Sequence, residues 1–200
     1  MRSDQHLKLT RREIARRQIE TAIDLLFAGG DPVTINLIAW AAVDQLRGML
    51  DHAGKQSLLG RLDERIRPEK LGRWYRSLKR HYNFAKHSDR DPEGVINDFR
   101  PEAALWAIYI AASDYIAAFG KMTVKMMVYR TWFEARYPHI LLGEGQARAQ
   151  RNADLLRDPG NPDLTVALKM SRDFLTMWHQ DRPLLQSATP PEVLAMLEDA

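Results

Sequence analysis

The densest run of chemically capable side chains reads Leu71-Gly72-Arg73-Trp74-Tyr75-Arg76-Ser77-Leu78-Lys79-Arg80-His81-Tyr82-Asn83-Phe84-Ala85-Lys86-His87. Arg73, Arg76, Arg80, Asn83 and His87 recur at steps of three and four, so a helix would carry them as one stripe. Leu71, Tyr75, Leu78, Tyr82 and Ala85 form an apolar stripe roughly 150° away by the same helical-wheel arithmetic. The basic stripe therefore points away from this helix's own core, toward solvent, a ligand, a partner subunit or nucleic acid. A guanidinium fork holds phosphate oxygens in pairs, and no acid interrupts the stripe to neutralise it. Residues 61–90 carry ten Lys and Arg against four Asp and Glu, a local +6 in a chain of net charge +3. Arg73, Arg76, Arg80 and Asn83 are thus candidate phosphate ligands for RNA or a nucleotide. The same residues would serve a solvated face or a face that docks an acidic protein partner, although a merely solubilising face usually mixes signs. Trp74 and Phe84 could stack on bases, whereas Tyr75 and Tyr82 fall on the core stripe.

Two further groupings have chemical content. His87, Asp89 and Asp91 alternate just past the expected helix end, and one imidazole with two carboxylates suits a divalent cation with open water positions. Lys86 and Arg90 lie among them, so a charge-assisted clamp of the loop, Asp to Arg or Lys, is the plainer expectation. Asp114 interrupts an almost wholly apolar stretch and should be a buried carboxylate paired with a Lys, Arg or His from a neighbouring helix. Pairing with His81 or His87 would create an acid/base dyad. There is no Cys, hence no disulfide and no thiolate metal site. No Gly-rich phosphate loop, nucleophile elbow or zinc spacing occurs, and no cofactor is expected.

The elements that must position these residues are helices. In 200 residues, 45% are hydrophobic and 28% charged, enough to bury a full core and to exclude a disordered chain. Thr10-Arg11-Arg12-Glu13 has capping-box spacing, and Ala15, Ile19, Ala22, Ile23 and Leu26 then share one face. Gly29-Gly30 stops that helix, and Asp31-Pro32 starts a second one, over 32–52, that is apolar nearly all round. The short connection makes the two an antiparallel pair. A short amphipathic stretch over 55–66 and a continuous helix over 69–87 follow. A polar loop over 88–101 comes next, with residues 95–99 extended but too short for a sheet. Helices over 103–119, 122–137, 143–157 and 164–178 complete the pattern, with a turn at 158–162. Thr189-Pro190-Pro191-Glu192 opens a possible short last helix. The fold class is all-α, a single-domain bundle of six to eight helices over 1–183 with a tail over 184–200. The N-terminus lacks the apolar run of a signal peptide, and Ser113-Asp114 and Gly120-Lys121 mark the apolar 103–119 stretch as buried rather than membrane-spanning.

The Arg and His spacings within this helical setting resemble the signature of HEPN-type bundles, an Arg followed by a polar residue with a His four to six residues beyond. Arg76 and His81 have four intervening residues, and Arg80 and His87 have six, with His81 directly after Arg80. The resemblance implies metal-independent RNA cleavage, with Arg80 on phosphate and His87 assisting proton transfer, in a dimeric protein. Aligning Asn83 and His87 with the commoner Arg-Asn-x-x-x-His form instead puts Tyr82 where Arg belongs. A second resemblance, carried by Gly29-Gly30-Asp31-Pro32-Val33 and by Asn83-Phe84-Ala85-Lys86-His87-Ser88-Asp89-Arg90-Asp91-Pro92, is to bacterial helical proteins of similar length. It brings no activity with it and implies a bacterial, cytoplasmic protein. The expectation is a homo-oligomer without membrane contact that binds RNA, a nucleotide or an acidic protein. If it is an enzyme, it is a metal-independent ribonuclease, the alternative being a metal-dependent enzyme that uses His87, Asp89 and Asp91.

Overall fold

Helix α1 (Arg11–Phe27) starts at the Thr10 capping box. The Thr10 hydroxyl accepts the Glu13 N–H at 3.2 Å, and the Glu13 carboxylate accepts the Thr10 N–H at 2.7 Å. The Thr10 N–H and the Thr10 hydroxyl, which also donates to the carboxylate at 2.8 Å, hold the Glu13 carboxyl below its ordinary range. The helix ends in a pair of C-terminal bonds: Gly30 N–H to the Leu25 carbonyl (2.7 Å) and Gly29 N–H to the Leu26 carbonyl (3.0 Å). Gly29 takes φ +71°, open to glycine without strain, and a Cβ on Gly30 would meet the Leu25 carbonyl oxygen at 2.9 Å. Asp31 then caps α2 (Pro32–His52), accepting the Thr34 N–H at 2.8 Å. Gln45 donates to Gln18 at 2.9 Å across the pair. The two positions lie ten residues before and fourteen residues after the 28–31 connection, so the bond crosses an antiparallel pair.

The structure is a computed structural model and describes residues 7–63, 68–87, 89–141, 143–155, 164–181, 183, 187 and 191–198. After α2 come α3 (Leu58–Asp63), α4 (Pro68–Leu78), α5 (Arg80–Lys86), α6 (Glu102–Phe119) and α7 (Val124–Arg136). A 3-10 turn (Pro138–Ile140), α8 (Glu144–Leu155), α9 (Leu164–Gln180) and α10 (Pro191–Leu194) follow. Eight of the helices described are seven residues or longer, so the fold is the expected all-α bundle. Residues 95–99 form no strand, and the single β-type contact among the described residues is an isolated bridge between Met122 and Leu197. No helix among them is long and apolar enough to cross a membrane.

Helix α6 is the axis of the core. Ala104, Leu105, Ala107, Ile108, Ile110, Ala111 and Ala112 are all buried, because the helix meets neighbours on most of its circumference, with Trp106 on the exposed side. It packs most extensively on α2, which also packs on α1. Burial of each large side chain, such as Ile35, Leu46 or Ile108, contributes about 1.5–3 kcal/mol. Gly120 closes α6 at φ +68°, and Lys55 Nζ reaches the last carbonyls, Ala117 and Ala118, at 3.2 Å each. Met122 and Met126 are buried and Met127 packs against the core, as their spacing suggests.

Residues 196–198 are fastened to the bundle. Met122 N–H donates to Met196 O at 2.8 Å, Glu198 N–H donates to Met122 O at 2.9 Å, and Leu197 is buried. Glu198 accepts from Arg12 (2.5 Å) and from the Tyr115 hydroxyl (2.8 Å), so α1, α6 and the tail meet at one carboxylate. The turn at 158–162, Ser88 and the Thr189-Pro190 start of the last helix lie outside the described residues, as do the side chains of Leu71, Leu164, Ala167 and Leu168.

Candidate phosphate-binding face

The helix expected to run unbroken over 69–87 is two helices. At Lys79 the backbone leaves helical geometry (φ −96°, ψ 6°), although Lys79 N–H still bonds Tyr75 O at 3.0 Å and Asn83 N–H bonds Lys79 O at 2.7 Å. The side chains around the break hold the segment to α2. Lys79 forms an ion pair with Asp44, and its ammonium lies 5.3 Å from the Trp40 ring centroid. Tyr82 is buried and stacks on Trp40 with centroids 6.4 Å apart, and burial raises its hydroxyl pKa. Arg47 of α2 lies 4.8 Å over the Tyr75 ring. Tyr75, Leu78 and Tyr82 therefore face inward as the period requires, but Ala85 is exposed, because α2 covers the stripe no further than Tyr82. Trp74 packs inward against Tyr75, and Phe84 is partly exposed.

The basic stripe faces outward, divided by the break. Arg73 and Arg76, one turn apart on α4, are exposed and make no ion pair or hydrogen bond among the described residues. Arg80, also exposed, is held by Asp98 at 2.5 Å, a partner supplied by the 88–101 loop. Asn83 is half-buried on α5. His87 is the residue after the helix, with φ −117° and ψ 53°, and its N–H bonds Asn83 O at 3.0 Å. His87 is therefore the C-terminal cap of α5: its N–H stays on the helical ladder, and the chain turns away only after it. Arg76 and His81 are separated by the break at Lys79. His81 sits edge-on to Phe99 at 5.1 Å. Its Nε2 is buried without a hydrogen-bond partner among the described residues, 3.6 Å from Asp98 Oδ1. Tyr82, at the place where the commoner HEPN form has its Arg, is a core residue.

His87, Asp89 and Asp91 do not converge, and among the described residues no group of three His, Asp or Glu side chains could hold a metal ion. Neither Asp89 nor Asp91 pairs with Arg90 or Lys86. Asp91 closes a turn, with Gly94 N–H on its carbonyl at 3.2 Å and its carboxylate packed so closely that a Cβ on Gly94 would lie 2.4 Å from Oδ2. The clamp on this loop is Asp98 with Arg80 instead. Helical periodicity could not reveal Asp98, which lies in irregular chain; the only signal was an isolated acid within the otherwise uncharged run 95–97 and 99.

Asp114 is fully buried, as expected, but its partner is a backbone N–H rather than a cation. Its Oδ1 accepts the Leu58 N–H at 2.5 Å and so caps α3, while Ser57 Oγ accepts the Gly60 N–H at 3.0 Å. Its Oδ2 has no partner among the described residues. Desolvation pushes its pKa up to about 6, against the opposing Leu58 hydrogen bond and the more distant Arg61 and Arg47. A second buried acid, Glu134, has no counterpart among the sequence expectations. It accepts from Arg130 at 2.9 Å, Arg148 at 3.4 Å and the Tyr109 hydroxyl at 3.2 Å, joining α6, α7 and α8. The Arg130–Glu134 spacing of four was visible; the burial was not.

The chain matches no protein-family model, no curated protein and no solved structure.

Proposed function

We propose that the α4–α5 face binds single-stranded RNA through its phosphates, without cutting it. One observation carries this reading: Arg73 and Arg76 present two exposed guanidiniums one helical turn apart with no acid engaged among the described residues. Asn83 extends the face onto α5, where Asp98 holds Arg80 back from phosphate. Each phosphate contact releases counterions, so binding weakens as salt rises. The HEPN resemblance contributes the expectation of RNA as ligand. Cleavage is left out of the proposal because Tyr82 is in the core and Arg80 is engaged by Asp98.

The test is fluorescence anisotropy with a labelled single-stranded RNA at low salt, the products being run on a gel. Binding should be lost at least tenfold in the Arg73→Gln, Arg76→Gln double variant, with its circular dichroism and melting temperature unchanged. RNA that remains unbound by the parent protein refutes the proposal. Competition by polyglutamate but not by polyphosphate would transfer the face to an acidic protein partner. RNA that is cut, with cutting abolished by His87→Ala, would restore the ribonuclease expectation.

A further inference from the structure

The Gly29-Gly30-Asp31-Pro32 signature plays no part in the RNA proposal, yet Gly29, Gly30 and Pro32 line a cleft of about 240 Å³ between the α1–α2 turn and the start of α6. Glycine at both positions leaves that wall without side chains. Leu26, Ile35 and Leu105 supply apolar surface. Two charged residues complete the lining: Glu102, the first residue of α6, and Arg136, the last of α7. Neither forms an ion pair among the described residues. Arg136 uses Nε to reach the Tyr137 hydroxyl at 3.2 Å and lies 5.4 Å from that ring's centroid. Its remaining donors have no partner among the described residues.

Opposite charges that share a small cleft without neutralising each other, over an apolar surface, are complementary to a zwitterion with an apolar body. We propose that this cleft binds a free α-amino acid with a branched apolar side chain. Arg136 takes the carboxylate as a fork, Glu102 takes the ammonium, and Leu26, Ile35 and Leu105 enclose the side chain. The size agrees, since pockets for drug-sized ligands measure about 300–1,000 Å³ and this smaller cleft suits a ligand of a few heavy atoms. A phosphate-bearing ligand would meet the Glu102 carboxylate, and a long acyl chain would exceed the volume. The site shares no residue with the RNA face and stands or falls separately from it.

The full-length protein with labelled methyl groups would be titrated with L-leucine, 4-methylpentanoate and 3-methylbutylamine, the last two each lacking one of leucine's charges. Leucine should shift the methyl resonances of Leu26, Ile35 and Leu105 saturably, and each analogue should bind at least tenfold more weakly. Arg136→Gln and Glu102→Gln should each weaken leucine at least tenfold at an unchanged melting temperature. Should Arg136→Gln melt early, Glu102→Gln, on the exposed first turn of α6, carries the same test. Absence of saturable shifts with leucine overturns the proposal, as does equal binding of either analogue or a leucine affinity that the two variants leave unchanged.

Discussion

Glu134 and Arg73 mark two opposite solutions to placing charge on a helix. Around Glu134 the acid is buried, and three donors from three helices converge on it. Along α4 and α5 the cations are exposed, and Arg73 and Arg76 meet no acid among the described residues. The first arrangement is specific to one partner set and rigid, because removing Glu134 strands the mostly buried Arg130 and removing a donor leaves the buried carboxylate short of a partner. The second is open to any anion that water can reach. Charge around Glu134 stabilises the bundle, whereas charge on the outer side of α4 is available for binding. Trp40 joins the two regions, since it belongs to the core and also forms the platform for Tyr82 and Lys79.

The largest effect should therefore come from Trp40→Ala. Trp40 is only 3% exposed, and its loss should cost about 3–5 kcal/mol in urea unfolding. A cost below about 1 kcal/mol would place the residue outside the core, by the usual size of surface substitutions. Next is Glu134→Gln, which keeps the shape but removes the charge that Arg130 and Arg148 surround. Arg148 is more than half exposed and will rehydrate, whereas Arg130 is mostly buried. The expected loss is about 2–3 kcal/mol. An unchanged unfolding midpoint would show that this cluster is no more structural than the α4 face.

Asp114 gives a change of opposite sign. Its pKa rises from 3.8 to about 6 in the folded chain, so the folded state holds the proton more tightly than the unfolded one. Its contribution to stability is complete below about pH 4 and is lost as pH rises through about 6. Asp114→Asn keeps an acceptor for the Leu58 N–H and has no charge to desolvate. It should stabilise the protein by about 1–2 kcal/mol at pH 7.5, discounted from the linkage value for the amide donors that the site must accommodate. Between pH 4 and 7 the variant should show a shallower fall in stability than the parent. An unaltered slope would mean that Asp114 is not the group responsible.

Residues that periodicity governs were legible in advance. The α1 face from Ala15 to Leu26, the Gly29-Gly30 stop and the Asp31 cap all follow from local rules, because each is decided within a few residues of its own sequence. The apolar stripe through Tyr75 and Tyr82, and the outward stripe through Arg73, Arg76 and Arg80, were legible for the same reason. What escaped prediction depends on contacts distant in the chain. The helix break at Lys79 accompanies its pairing with Asp44, Asp114 caps α3 rather than finding a cation, and the acid that holds Arg80 arrives from an irregular loop. A wheel diagram contains no information on what another segment brings to its surface.

That loop acid is the place where the contrast between stabilising and available charge can be sharpened most finely. The Arg80–Asp98 pair is exposed on both sides, with 56% and 55% of the side chains accessible, so Asp98→Asn should change stability by less than about 1 kcal/mol. Its consequence for RNA should be a gain. With the carboxylate neutralised, Arg80 is available to phosphate without first exchanging a partner, and a local negative charge is gone from the face. The logarithm of the binding constant should fall more steeply with the logarithm of salt concentration, by about 0.7 for one additional phosphate contact on a single strand. Arg80→Gln in the Asp98→Asn background should return the slope to that of the parent. If the slope and affinity stay at parental values in Asp98→Asn, Arg80 belongs with Glu134 among the charges that hold the structure together, and the binding face contracts to Arg73 and Arg76.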